Sequence, residues 1–65
     1  MTTKRIRAED LASSWASGGR RESVADACRR DPVLSLYVVL AFCDAMPSRW
    51  VAEVAALIHL VERSK

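Results

Sequence analysis

The chain is short of the residues that interrupt helices and of those that staple small folds. Two glycines and two prolines in 65 residues leave few places for tight turns, so the elements between them are long relative to the chain. Cys28, Cys43 and His59 are its only cysteines and histidine. They form no CxxC pair and lack the spacing of a zinc site, so neither a disulfide framework nor a structural metal is expected. No apolar run approaches the roughly 20 residues that span a bilayer. The opening Met1-Thr2-Thr3-Lys4-Arg5-Ile6-Arg7 has no apolar signal core behind it. These absences predict a cytoplasmic protein with reduced thiols and no membrane partner.

Catalytic signatures are missing too. There is no dinucleotide-binding glycine fingerprint, no Walker-type phosphate loop and no HExxH pair. Gly18-Gly19-Arg20-Arg21 has the composition of a phosphate cradle before a helix, without the longer pattern that makes one. No cofactor is implied, and the sequence predicts a protein that is not an enzyme.

What is present is helical patterning. Between Val33 and Met46 only Ser35 and Asp44 are clearly polar. A helix that is apolar all round has no side to turn toward water and must be enclosed. Asp31-Pro32 supplies its N-cap and first residue, and Pro47 stops it. Ahead of it, Ala8, Leu11, Ala12, Trp15 and Ala16 share one face of a helix over about 8–17, closed by Gly18-Gly19. A second helix, about 20–30, has only the narrow stripe Val24, Ala27 and Cys28. After Pro47, Trp50, Val54, Leu57, Ile58 and Val61 form the stripe of a fourth helix. The short connection predicts that helices three and four form an antiparallel hairpin. Residues 1–7 read as a basic flexible arm and 8–65 as a single helical domain.

The expected fold is therefore all-α, three to four short helices with a C-terminal antiparallel hairpin. A domain near this size buries only about 60% of its unfolded surface, and the stripes on the other helices are too narrow to cover every side of helix three. The sequence predicts a homodimer, with Leu34, Tyr37, Val38, Ala41, Phe42, Trp50, Val54, Leu57, Ile58 and Val61 as its interface.

Charge is uneven. Residues 1–30 carry a balance of +3 and residues 31–65 a balance of −1. The basic second helix would then face outward, with Arg20, Arg21, Arg29 and Arg30 as partner-binding residues that steer association. Trp15 is a core anchor or, if exposed, a binding hot spot. The alternative is a small DNA-binding regulator, with residues 8–30 as a helix-turn-helix-like pair and Arg20, Arg21 and Ser23 opening a recognition helix. Glu22 and Asp26 on that same helix, and the mild net charge of +2, speak against the strongly basic footprint of such modules.

The stretch from Trp15 to Val24, read as W-x-x-G-x-R-x-x-x-V, resembles a pattern in short all-helical accessory proteins of temperate bacteriophages. That resemblance implies a small non-catalytic, often dimeric protein that binds and inhibits, or redirects, a bacterial host protein. It brings no defined site residues.

Overall fold

The computed structural model describes residues 3–63. Four helices run through it, α1 (Thr3–Ala16), α2 (Arg21–Arg30), α3 (Pro32–Ala45) and α4 (Trp50–Arg63). They pack as an all-α bundle with no strand among the described residues, and no helix is long and apolar enough to cross a membrane.

The start of α1 corrects one expectation. Lys4, Arg5, Ile6 and Arg7 are helical and extend α1 by more than a turn, whereas a flexible arm was expected over 1–7. Met1 and Thr2 lie outside the described residues. An ion pair ties this first turn to the start of α3: Lys4 Nζ lies 3.0 Å from Asp31 Oδ2.

Each boundary has a local cause. At the end of α1, Gly18 N–H donates to Trp15 O at 3.1 Å and Gly19 N–H to Ser14 O at 2.7 Å. This is the paired bonding of a Schellman cap, with Gly18 at φ +82° as the left-handed residue. At Gly19 a Cβ would sit 2.7 Å from the backbone oxygen of Ser14, so the cap needs both glycines. Asp31 ends α2 and begins α3. Its N–H donates to Ala27 O, and its carboxylate accepts from Leu34 N–H at 3.2 Å, with Pro32 next in the chain where a missing N–H costs nothing. Met46 N–H closes α3 on Phe42 O. Residues 46–49 then turn into α4.

Packing centres on α3, which touches all three other helices. Its most extensive partner is α1, whose small Ala8 and Ala12 are fully covered. Small side chains there let the two backbones approach closely. Trp15 meets Phe42 with ring centroids 5.3 Å apart and planes inclined at 50°, a tilted contact worth about 0.5–1.5 kcal/mol beyond simple burial. Leu34, Val24 and Val38 complete the most deeply buried set. The contact register gives the directions. Lys4 meets Asp31 and Trp15 meets Phe42, so α1 and α3 run the same way. Arg21 meets Glu53 and Arg29 meets Leu60 and Val61, so α2 and α4 do likewise. Ser35 and Leu36, early in α3, share a groove with Val61 and Glu62, late in α4, which makes those two helices antiparallel.

Candidate interaction surface

The basic residues of α2 do not form one patch. Arg20 is exposed at the N-cap position, and Arg21 follows it. Arg29 and Arg30 stand at the far end of the helix, about 15 Å away at 1.5 Å per residue. Arg29 is occupied inside the fold. Its Nη1 lies 3.2 Å from Asp26 Oδ1, and its Nε and Nη2 donate to Val61 O and Leu60 O at 3.3 and 3.5 Å. Those bonds tie the end of α2 to carbonyls in the last turn of α4. Arg30 Nη2 lies 3.2 Å from Asp26 Oδ2. Arg29 is thus a fastener between helices, which corrects its expected place on a free binding face.

Trp15 is 1% exposed, so it is a core residue and cannot be an exposed hot spot. Its indole Nε1 is buried without a hydrogen-bond partner. The ring face is covered by the Arg21 guanidinium, 4.7 Å from the ring centroid, a cation–π contact of about 0.5–2 kcal/mol. The same guanidinium reaches the other way, with Nη2 3.8 Å from Glu53 Oε2. Arg49 Nε lies 3.9 Å from that same oxygen. Glu53 is thereby flanked by two cations, at the end of the bundle where α2 and α4 both begin. Helix N-termini carry partial positive charge, so this end combines two such termini with Arg20, Arg21 and Arg49 against Glu22 and Glu53.

The exposed aromatic of this end is Trp50, 36% exposed, beside Val51 at 64%. With Pro47 and Arg49 they line an open concavity at the start of α4. The sequence placed Trp50 in a dimer core because it fits the α4 stripe. It opens the helix, where the bundle no longer covers every side.

The expected dimer interface needs a larger correction. Leu34, Val38, Ala41, Phe42 and Leu57 are buried within one copy, and Tyr37, Val54 and Val61 pack against that core. Only Trp50 and Ile58 of the set are exposed. The large aliphatic side chains left outside α3 are Val33, Leu36 and Leu40, none of them singled out from the sequence. An all-apolar helix has no periodicity to say which side faces its own bundle.

The glycine pair is no phosphate cradle, because both amides are spent on the α1 cap. Cys28 and Cys43 are free thiols, the first buried and the second half-buried; burial pushes the Cys28 thiol up from its ordinary value. His59 is exposed. Among the described residues no three His, Cys, Asp or Glu side chains gather where a metal ion could be held. Comparison with known protein families, curated proteins and solved structures finds no match.

Proposed function

We propose that this chain is a non-catalytic protein-binding regulator or inhibitor that acts as a homodimer. It meets its target at the end of the bundle where α2 and α4 begin. The observation that carries the reading is the convergence of Arg21 and Arg49 on Glu53 beside the exposed Trp50 and Val51. Tryptophan and arginine are the residues most enriched at interface hot spots, and the arginines are held in place before a partner arrives. Such preorganisation lowers the ordering cost of association. The chemistry suits a target segment with an apolar anchor for the Trp50 concavity and acidic groups for Arg20, Arg21 and Arg49. The phage-like stretch from Trp15 to Val24 suggests a bacterial host protein as that target.

A pull-down from bacterial lysate tests the reading, comparing wild type with Trp50→Ala and with an Arg20→Glu/Arg21→Glu pair. Both variants should lose a protein that wild type recovers, with helicity by circular dichroism retained. Identical recovery by all three would put the target surface elsewhere.

A further inference from the structure

The outer side of α3 is a second apolar surface, away from the Trp50 concavity. Val33, Leu36 and Leu40 are 50%, 66% and 62% exposed, and their spacing of three and four residues aligns them in one stripe. On the neighbouring helix Ile58 is 48% exposed. Between the two helices, beside Leu36, lies a groove of about 290 Å³ floored by Val39, Leu57 and Val61.

We infer that a second copy of this chain closes this face, in a two-fold dimer with Leu36 and Leu40 of each copy seated over the α3–α4 groove of the other. The inference rests on the self-association proposed above and names the surface that performs it. Three features select a second copy over a different partner. First, α3 carries no charged residue from Pro32 to Cys43, and Glu62 is the one charged residue lining the groove. The groove therefore has little to attract a charged partner and little to repel itself, the charges of Arg5, Glu9 and Asp44 lying beside Leu40 on the side toward α1. Second, projecting leucines and a receiving groove lie side by side. A two-fold axis then gives each projection a groove, as a self-complementary interface requires. Third, the requirement is modest. A stable interface at the small end of the usual range buries about 600–800 Å² per copy, roughly one sixth of this chain's 4377 Å² of accessible surface.

Analytical ultracentrifugation from tens of micromolar down to sub-micromolar protein decides it. Wild type should sediment as a reversible dimer, and its Tm should rise with concentration because subunit association stabilises the fold by mass action. Leu36→Lys/Leu40→Lys should sediment as a helical monomer, its dissociation constant raised about a hundredfold or more. Ile58→Glu, on the other helix, repeats the comparison should the lysine pair fail to fold. A wild type that stays monomeric at tens of micromolar overturns both the surface and self-association. Folded variants that remain dimeric overturn the surface alone and leave self-association standing. The Arg20→Glu/Arg21→Glu pair should dimerise as wild type does; its loss of the dimer would move the interface to the target-binding end.

Discussion

Asp31 joins three helices through its carboxylate and its backbone N–H. It accepts from Lys4 of α1 and from the Leu34 N–H that opens α3, while its own N–H closes α2. The Lys4 hydrogen bond first, and the Leu34 N–H second, hold this carboxyl below the usual carboxylate value. A folded-state value below the unfolded one contributes stability above about pH 4, where the unfolded chain's Asp is also ionised, and loses it as pH falls through the lower folded value. Asn is as good an N-cap as Asp, so Asp31→Asn should keep the cap while losing the Lys4 ion pair. Its urea midpoint should therefore vary less than that of wild type between about pH 4 and pH 2. Asp31→Ala loses cap and ion pair together and should have the lowest midpoint of the three at pH 7. An Asp31→Asn midpoint as acid-sensitive as wild type would show that other carboxylates govern the acid limb. The cap itself was legible, since Asp-Pro before an apolar run is a helix start with a mechanism. The Lys4 contact was not, because nothing local marks a residue at position 4 as the partner of one at position 31.

At the scale of the element, α3 decides both what the sequence told and what it concealed. Its limits could be read from Asp31-Pro32 and Met46-Pro47, and its need for enclosure from its composition. Which side faces inward could not, because Leu, Val and Phe satisfy a buried or an outward position equally well by type. The choice is made by α1, whose alanines admit α3 closely, and by Trp15, which stacks on Phe42. The basic face of α2 shows the same limit. Its arginines were visible, but their carboxylate and carbonyl partners on α4 depend on tertiary register. The two sides of α3 can be separated by one substitution made twice. Val38→Lys places an unpaired charge at a position 0% exposed, at a cost of about 3–5 kcal/mol or more. A chain of this length is stable by only about 3–10 kcal/mol, so Val38→Lys should be largely unfolded by circular dichroism. Leu40→Lys, two residues on, should keep its helicity. Measured at concentrations too low for association, its stability should lie within about 0.5 kcal/mol of wild type. Equal loss in both variants would mean that α3 has no outer side.

For the molecule as a whole, the question left between protein and nucleic acid turns on how many cations are available to phosphates. Of the four arginines on or next to α2, Arg21, Arg29 and Arg30 each lie within 4 Å of a carboxylate. Lys4 and Arg49 are similarly engaged, with Asp31 and Glu53. A phosphate backbone, like an acidic protein group, must compete with those carboxylates before it gains a contact, so few counterions would be released on binding DNA. Affinity for B-DNA falls with salt with a logarithmic slope of about −0.9 per phosphate neutralised. A protein making about two such contacts has a shallow slope, and its weak binding is lost before physiological ionic strength, about 0.15 M. Wild type should accordingly elute from heparin below that salt, and fluorescence anisotropy with duplex DNA should give a slope no steeper than about −2. Exposed surface pairs are individually worth about 0–1 kcal/mol, so a duplex that bound tightly could break them. A slope of about −5 or steeper would mean that it had done so, and would move the function of Arg20 and Arg21 from an acidic protein segment to a phosphate backbone.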